Sequence, residues 1–414
     1  MATGQSASGG FDPDPAGAAD IGAWSAADLV KEIRETFALV EPSGPQAAAW
    51  FYGHFFTANP RYRKYFSGDP AGQDRRLFLA VQRIVADLDR PGDFLPFLQR
   101  LALRHRKFGL RAAHYEAFGA SLLATMAHFC GERWDDQAAA AWQAGYGLVA
   151  EVMMDASAEA DAVCPPFWEA EVTGHEKLAE DIAKVTVRPL PATGGQPVPY
   201  TFRAGQYAAV EVAALSRVWR DFSFAGVPVA EVVKAAEPAG SAQDGGAAPA
   251  EIEFHVQSGR PGGVSEVLVH RTEVGHRLRI ATAEGELAFP PADRVQRLIA
   301  VAHGTGAAPV HGLLAAAIAG GDKRPITIVL VSDAGPHYLA DGFADLVGRN
   351  KGLVVEPVEG DSLEAVRALA AVEYARGGEC GAVLVGPGEL VEQWRLILTE
   401  AGVDPGDVSS DLFD

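Results

Sequence analysis

The chain has 414 residues, of which 48% are hydrophobic, and this length predicts about two to four independently packed domains. Its formal net charge of −19 would repel a nucleic-acid backbone or an anionic membrane surface, so neither is an expected partner. The three cysteines form no CxxC motif, which argues against a thiolate metal site and a disulfide framework and favours a reducing compartment.

The amino-terminal segment, residues 1–22, is rich in Gly, Ala, Ser, Pro and Asp. Such a composition buries too little apolar surface to offset the entropy of ordering, so we expect a disordered tail. The segment lacks the basic and apolar regions of a signal peptide, and the chain has no apolar run of about 18 residues that could span a membrane. We therefore expect a cytoplasmic protein without a membrane span.

Residues 23–158 are predicted to form an all-α domain. Ser25 and Asp28 have the spacing of a capping box at the start of a helix. Apolar residues then recur at helical spacing, with no strand pattern between them. Two such sets are Leu77, Val81, Ile84 and Leu88, and Tyr115, Phe118, Leu122 and Met126.

Residues 164–294 are predicted to form an antiparallel β-barrel. Short segments of alternating or β-branched character favour strands there, namely KVTVRPL, QYAAVEVA, DFSFAG and EIEFHVQ. Residues 228–250 interrupt this pattern with an Ala/Gly/Pro-rich stretch. We expect that stretch to be a long mobile loop and an inert insertion.

Residues 295–414 are predicted to form an α/β domain around a parallel sheet. Apolar strands (RLIAVA, PITIVLVS and GAVLVGP) alternate with helical pieces such as APVHGLLAAAIA. This alternation is typical of a parallel, Rossmann-like α/β sheet. The predicted order of domains is therefore α, then β, then α/β.

The helical part contains a candidate metal ligand. The segment RLALRHRKFGLRAAHYEAFGASLLATM places His105 at the end of one helix and Tyr115 at the start of the next. A histidine between Arg104 and Arg106 is more often a solvated surface residue, so the segment alone does not assign a ligand.

Several motifs of the helical half together resemble the globin domain of bacterial flavohemoglobins, in the family's order and spacing. They are WFYGHFFTANPRYRKYF, DRRLFLAV, RHRKFG with HYEAFGASLLATM, and AWQAGYGLVAEV. The resemblance implies a heme b bound through His105 as the iron ligand. It also implies that Tyr52 and Gln73 are the distal polar pair, that Phe66 wedges against the heme, and that Leu77 lies over it.

The implied distal pair suits a bound diatomic ligand. A tyrosine hydroxyl and a glutamine amide can both donate hydrogen bonds to an oxygen atom that carries partial negative charge. Without the resemblance, Tyr52 would be taken for an ordinary core tyrosine.

On the proximal side, the family uses a tyrosine and a glutamate around the histidine. The resemblance places Tyr115 in the first role and Gln137, beside Asp136, at the glutamate's position. A neutral amide stabilises imidazolate character less than a carboxylate does, so we expect less electron density to be pushed toward the iron.

The second half resembles the ferredoxin-reductase-like module of flavohemoglobins over almost its full length. Its segment RDFS matches the family's Arg-x-Tyr-Ser/Thr flavin motif with phenylalanine in place of tyrosine, and GQY precedes it. By this resemblance the FAD-binding residues are Gln206, Tyr207, Arg220, Phe222 and Ser223.

Two glycine-containing loops resemble the family's phosphate-binding loops. The first is PGGVS, which alone would more often be a plain turn. The second is AHGTGAAP, which follows a predicted strand and opens a predicted helix, as a pyrophosphate site requires. The residues assigned to these loops are Gly262, Gly263, Val264, Ser265, Gly304, Thr305, Gly306 and Pro309.

The end of the chain carries the remaining cofactor residues implied by the resemblance. Gly386 and Pro387 match the family's Cys-Gly-Pro, with Val385 in place of the cysteine. Phe413 takes the position of the terminal aromatic over the flavin, although by itself it would be only a tail residue. His303 stands where the family has a very small residue. No basic cluster that could bind a 2′-phosphate is evident in the sequence, so NADH is favoured over NADPH.

The sequence therefore predicts a flavohemoglobin-type oxidoreductase, with electrons passing from NADH or NADPH to FAD and then to heme, and with nitric oxide oxidised by dioxygen to nitrate. One alternative keeps both cofactors with a different electron donor or substrate. A second alternative is a non-catalytic hemoprotein that binds O₂ or NO. We expect a monomer, and the histidine pairs His270 with His276 and His303 with His311 do not match a zinc motif.

Overall fold

A computed structural model describes residues 25–66, 70–191, 198–226 and 251–413, with the side chains at positions 70, 71 and 374 left aside. The predicted tail at 1–22 and the predicted loop at 228–250 lie outside the described residues. The chain divides into two compact units, Met1–Cys164 and Pro165–Asp414.

The first unit is helical, which confirms the predicted fold class. The side chain of Ser25 accepts a hydrogen bond from the backbone N–H of Asp28, and the Asp28 carboxylate accepts one from the backbone N–H of Ser25. The predicted capping box is therefore confirmed. The helices are α1 (Ala26–Val40), α2 (Gly44–Ala58), α3 (Pro70–Asp87), α4 (Pro91–Arg106), α5 (Ala112–Cys130) and α6 (Asp136–Asp161).

Two apolar clusters hold the helices of the first unit together. One joins α1, α2, α5 and α6 around Phe51 and Trp142, and Trp142 also donates a 2.8 Å hydrogen bond to the hydroxyl of Thr36. The other packs α4 against α6, with Leu98 and Ala102 fully buried. The second cluster fixes the part of α4 that leads to His105.

The second unit begins with an antiparallel six-stranded sheet in the order β4-β3-β6-β1-β2-β5. Phe224, just after β4, pairs with Phe254 on β5, so the two outer strands meet and nearly close a barrel, as predicted. The strands are β1 (Phe167–Lys177), β2 (Ile182–Pro189), β3 (Tyr207–Val212), β4 (Trp219–Ser223), β5 (Ile252–Gln257) and β6 (Arg277–Ala281), with the short helix α7 (Val264–His270) before β6.

A five-stranded parallel sheet follows, in the order β11-β10-β7-β8-β9. The order reverses between β7 and β10, which makes a topological switch point of the kind where α/β proteins bind nucleotides. Its elements are β7 (Arg297–His303), α8 (Ala307–Ala319), β8 (Ile326–Ser332), α9 (Ala340–Arg349), β9 (Leu353–Glu359), α10 (Ser362–Arg376), β10 (Cys380–Pro387), α11 (Gly388–Glu400) and β11 (Val408–Phe413).

Helices cover both faces of the parallel sheet. Alternate residues of β7 enter different clusters: Leu298 and Ala300 pack with α8 and α9, whereas Ile299 and Val301 pack with α10 and α11. Burial on both faces explains why these strands are continuous apolar runs in the sequence. No described helix has the length and hydropathy needed to cross a membrane.

We predict that Trp394→Phe weakens the second unit. Trp394 is fully buried on α11, and its indole N–H donates a 3.0 Å hydrogen bond to the buried hydroxyl of Ser362. The change leaves a small cavity and an unpaired hydroxyl, so the free energy of unfolding should fall by about 2–4 kcal/mol, measured by urea denaturation with circular dichroism. Leu396→Ala, at a 58% exposed position of the same helix, is the control and should shift it by less than about 0.5 kcal/mol. A similar effect of both changes would contradict this account.

Candidate functional site

His105 lies in the last turn of α4, and its Nδ1 is 2.7 Å from the carbonyl oxygen of Leu101, one turn earlier. Because a carbonyl oxygen only accepts, Nδ1 carries the proton and Nε2 keeps its lone pair. Burial lowers the pKa of His105, which also favours the neutral imidazole. A neutral imidazole with a lone pair on Nε2 is the form that binds a metal ion.

The side chain of Tyr52, on α2, lies among aromatic rings. Its ring is 5.6 Å from that of Phe66 in an edge-on arrangement, and both belong with Leu77 to one apolar cluster. Among the described residues, none forms a hydrogen bond with the Tyr52 hydroxyl. Burial, with a smaller effect of the Asp74 charge, raises the pKa of Tyr52 well above its usual range, so the hydroxyl keeps its proton and remains a donor.

Gln73 is half-buried near the start of α3. The charges of Asp74 and Arg76, on the same helix, both influence the pKa of Tyr52, and the next residue, Leu77, packs against the same apolar cluster as Tyr52. The structure thus brings Tyr52, Phe66 and Leu77 to one apolar cluster, and their role around a heme stays a prediction.

Gln137 is the predicted site residue that the structure does not bring to its expected neighbours. It is exposed in the first turn of α6, whereas the backbone carbonyl of Tyr115 accepts a 2.6 Å hydrogen bond from Tyr146, and Tyr115 shares a cluster with Ala156. At about 1.5 Å per residue, Gln137 lies roughly 14 Å along α6 from Tyr146. The placement of Gln137 beside Tyr115 is therefore corrected. It rested on sequence alignment, which does not show the level at which one helix crosses another.

In the second unit, Ser223 ends β4, and its hydroxyl donates a 3.2 Å hydrogen bond to the carboxylate of Asp411 on β11. Burial raises the pKa of Asp411, although the bond from Ser223 acts in the opposite direction. A serine predicted to lie near the flavin therefore has a carboxyl group of altered acidity beside it.

Sequence reasoning missed Asp411, although a signal for it exists. Residues alternate faces along a strand, so in VSSDLF the side chains of Asp411 and Phe413 lie on the same face of β11. The prediction selected Phe413 and did not extend the strand pattern back by two residues.

The other predicted flavin residues line the neighbouring strands. Tyr207 opens β3 and pairs in register with Ser223 of β4. Phe222 packs its ring against the barrel core, 6.4 Å from that of Phe254, whereas Arg220 on the same strand is exposed. Gln206 is half-buried, and its side-chain oxygen accepts a 2.8 Å hydrogen bond from the backbone N–H of Arg203.

The predicted loop PGGVS forms a tight turn before α7. Gly262 has φ of +76°, a left-handed conformation that favours glycine, and Gly263 caps the helix. Val264 is buried, and the hydroxyl of Ser265 accepts a 3.2 Å hydrogen bond from the backbone N–H of Gly259.

The predicted loop AHGTGAAP joins β7 to α8 at the switch point of the parallel sheet. Gly304 has φ of +53° and Thr305 follows it in the same short turn. At Gly306 a Cβ atom would lie 2.9 Å from the Val385 side chain and 3.0 Å from the Phe413 ring, so only glycine fits between them. The structure therefore brings the predicted nucleotide loop and the predicted terminal aromatic together.

The surroundings of this loop are also close-packed. Pro309 is buried in the first turn of α8, and Pro387 pairs in register with Phe413. At Gly386 a Cβ atom would lie 3.1 Å from the Trp394 ring and 3.2 Å from the Cβ of His303. His303, which replaces the family's very small residue, thus lies beside Gly386 at the carboxyl end of β7.

His337 supports the loop from the other side. Its Nδ1 accepts a hydrogen bond from the backbone N–H of Leu339 at 3.1 Å, and its Nε2 donates one to the carbonyl oxygen of Gly304 at 3.0 Å. Burial lowers the pKa of His337 to about 4, so the imidazole is neutral at neutral pH. This neutral tautomer fixes the conformation of the turn at Gly304.

These two sets of residues suit different tasks. The first unit offers an imidazole nitrogen and a hydroxyl donor within apolar surroundings, which suits a metal centre that binds a small ligand. The second offers a glycine turn at a switch point, an aromatic ring, and a serine with a carboxyl group, which suits a dinucleotide and a planar cofactor.

Comparison with known proteins agrees with this division. Residues 49–153 match the family model described as Globin. The chain is similar to a flavohemoprotein of Chromobacterium violaceum, 26% identical over 338 residues that span 78% of this chain and 79% of the relative. It is also similar to a flavohemoprotein of Bordetella parapertussis, 25% identical over 81% of this chain and 83% of the relative.

The fold is that of a solved flavohemoglobin from Malassezia yamatoensis, whose structure holds FAD and heme. The TM-score is 0.69 at 17% identity, and the match covers 93% of this chain and 98% of that one. The combination of a globin domain, an antiparallel barrel and a Rossmann-like domain is therefore shared with that protein.

We predict that His337→Gln reduces the loss of stability in mild acid. Because the folded pKa of His337 is depressed, the unfolded chain takes up a proton that the folded chain does not, between the ordinary pKa of about 6.5 and the folded value of about 4. Stability should thus fall as the pH falls through this window, by about 2 kcal/mol from His337 on reaching roughly pH 5.

Glutamine keeps a donor for Gly304 but does not titrate, so the variant should lose about 2 kcal/mol less than the parent between about pH 8 and pH 5. Urea unfolding at the two pH values measures the difference, and the value at the higher pH serves as the internal control. Parallel pH profiles of the parent and the variant would show that His337 does not titrate in this way.

Proposed function

We propose that this chain, a member of the flavohemoprotein family, passes electrons from NADH or NADPH through FAD to heme b and thereby supports the oxidation of nitric oxide by dioxygen to nitrate. The observation that carries the proposal is the pairing of two sites in one chain. His105 has its Nε2 available in a globin-type unit, and Gly306 meets Phe413 at the switch point of a reductase-type unit. When bound, FAD supplies the conversion of a two-electron hydride into single electrons, and heme supplies the centre that takes them one at a time.

The residues of the first unit fit a heme. His105 would hold the heme iron through Nε2, since the Leu101 carbonyl holds its proton on Nδ1. Phe66 and Leu77 would supply apolar contacts, and the protonated Tyr52 hydroxyl would donate a hydrogen bond to a small ligand, as would the Gln73 amide. As a globin domain, the first unit would bind small gaseous molecules as ligands.

The residues of the second unit fit a flavin and a nicotinamide dinucleotide. Arg220 is exposed on β4, where its guanidinium would meet a pyrophosphate, and the half-buried Tyr207 would offer an aromatic surface on the strand paired with Ser223, while Phe222 supports β4 from the barrel core. The pair Ser223–Asp411 would hold a hydrogen bond donor at the reacting edge of the flavin. Phe413, which contacts the predicted nucleotide loop, would have to move aside for the nicotinamide ring.

One observation favours a second candidate, an atypical oxidoreductase with the same two cofactors and another substrate. Among the described residues, no carboxylate affects the pKa of His105 or Tyr115, and Gln137 lies elsewhere. An axial histidine bonded only to a backbone carbonyl pushes less electron density to a metal than one bonded to a carboxylate. Slow turnover with nitric oxide alongside rapid heme reduction would favour this candidate.

The cellular setting is also part of the proposal. Cys130, Cys164 and Cys380 are all free thiols, which suits a reducing cytoplasm. A monomer would be sufficient, because each predicted cofactor residue belongs to this one chain.

We predict that His105→Ala abolishes heme binding. Loss of the axial nitrogen should remove the globin-type Soret absorption after reconstitution with hemin, while FAD content stays unchanged because the flavin residues belong to the second unit. His128→Ala, at an exposed histidine of the same unit, should bind hemin normally. Normal heme content in the His105 variant would make the axial assignment wrong.

We also predict a sequential relay in anaerobic stopped-flow experiments with protein reconstituted with both cofactors. NADH should bleach the flavin first, and the Soret shift of heme reduction should follow. Ser223→Ala should slow the reduction of the flavin by NADH at least about tenfold, because the hydrogen-bond donor beside Asp411 is lost. The heme content should stay unchanged. Ser410→Ala, on the opposite face of β11, is the control. If neither NADH nor NADPH reduces the flavin while dithionite reduces the heme, the proposed donor is wrong.

A further inference from the structure

The loop that follows β8, residues 333–339, is tied to its surroundings by three histidines. His303 at the end of β7 donates from Nε2 to the carboxylate of Asp333 at 3.0 Å. His337, within the loop, bonds to the carbonyl of Gly304. His255 on β5 lies 3.0 Å, through Nδ1, from the hydroxyl of Tyr338. We refer to residues 333–339 as the ribose loop, for the reason given below.

The contact of His255 is itself fixed by a carboxylate. Its Nε2 is 3.0 Å from the Glu253 side chain, and this hydrogen bond is the main cause that lowers the pKa of Glu253. An ionised carboxylate only accepts, so Nε2 donates to it, and in the neutral imidazole Nδ1 then accepts from the Tyr338 hydroxyl. The hydrogen-bonded chain Glu253–His255–Tyr338, with His255 buried at its centre, therefore anchors the middle of the ribose loop to the barrel strand β5.

The ribose loop lies where the adenosine end of a dinucleotide is expected. Gly304, held by His337, belongs to the turn at the switch point, and β8 is the next strand of the parallel sheet. In dinucleotide-binding sheets, the acidic residue that meets the adenosine ribose follows this second strand. Asp333 comes directly after β8 and its side chain is 81% exposed.

Asp333 is also oriented. His303 bonds to its Oδ1, and among the described residues the structure gives Oδ2 no partner. A carboxylate held in this way can accept a hydrogen bond from a ribose 2′-hydroxyl, and it repels a 2′-phosphate. The ribose loop, with the sequence DAGPHYL, contains no lysine or arginine that could pair with that phosphate.

We propose that the ribose loop binds the adenosine ribose of the nicotinamide dinucleotide, with Asp333 selecting NAD(H) against NADP(H) and His303 acting as the positioning residue that orients Asp333. The proposal rests on the proposed function, because it assigns the dinucleotide of the same reductase site. It adds a role for His303, the residue that departs from the family pattern.

The test is calorimetric titration of the full chain, loaded with FAD and heme, with NAD⁺ and with NADP⁺. The parent should bind NADP⁺ about tenfold more weakly than NAD⁺, as expected for one carboxylate near a doubly charged phosphate. Asp333→Ser should bring the two affinities to within about threefold of each other, mainly by admitting NADP⁺.

Two further variants separate a specific contact from general effects. Glu359→Gln removes an exposed carboxylate at the end of β9, paired in register with Ser332, and should leave the preference unchanged. His303→Ala should weaken NAD⁺ binding and raise the KM for NADH without changing the limiting rate of flavin reduction, whereas His303→Gln, which keeps a donor, should restore most of the affinity.

The outcomes distinguish this proposal from the proposed function. Equal affinities in the parent, or the same preference in the parent and in Asp333→Ser, would overturn the role of Asp333 even if NADH reduces the heme. A changed preference in Asp333→Ser without any heme reduction by NADH would support the ribose loop and reject the electron relay. No binding of either nucleotide would reject both.

Discussion

In a neutral imidazole one ring nitrogen donates a hydrogen bond and the other accepts one. At His105 and His337, on which the two sites depend, backbone groups determine which nitrogen carries the proton. The carbonyl of Leu101 holds the proton of His105 on Nδ1 and leaves the lone pair of Nε2 unprotonated. The N–H of Leu339 occupies Nδ1 of His337 and leaves Nε2 to hold Gly304. Burial keeps both rings neutral, so each nitrogen has a fixed task.

The same burial that positions these groups limits their chemistry. Tyr52 keeps its proton because its ring is packed among aromatic neighbours. Its hydroxyl can therefore donate a hydrogen bond but does not release the proton. Burial holds Asp411 less acidic than usual, and its carboxyl group accepts the hydrogen bond of Ser223 beside the predicted flavin edge. The two units thus use one device, a polar group in an apolar setting, for two different purposes.

The second unit also gives a reason for the exact position of its glycines. Gly306 has to be small because Val385 on β10 and Phe413 on β11 approach it, and Gly386 because Trp394 on α11 and His303 on β7 approach it. The close approach of three strand ends at this turn leaves little space for side chains, as expected where a backbone must come near a phosphate. The imidazole of His303 fits at this carboxyl end of β7 because it points toward the carboxylate of Asp333.

The sequence by itself determined the elements and their order, because periodicity and capping are local properties. The capping box at Ser25, the helix ending at His105, and the alternating and continuous strand patterns all depend on residues a few positions apart. Only the tertiary structure decided which distant residues meet. Ser223 and Asp411 are 188 positions apart, and His303 and Asp333 are 30 apart. Gln137 failed as a prediction for the same physical reason: the level at which Tyr115 packs on α6 follows from how whole helices cross, and no local pattern encodes it.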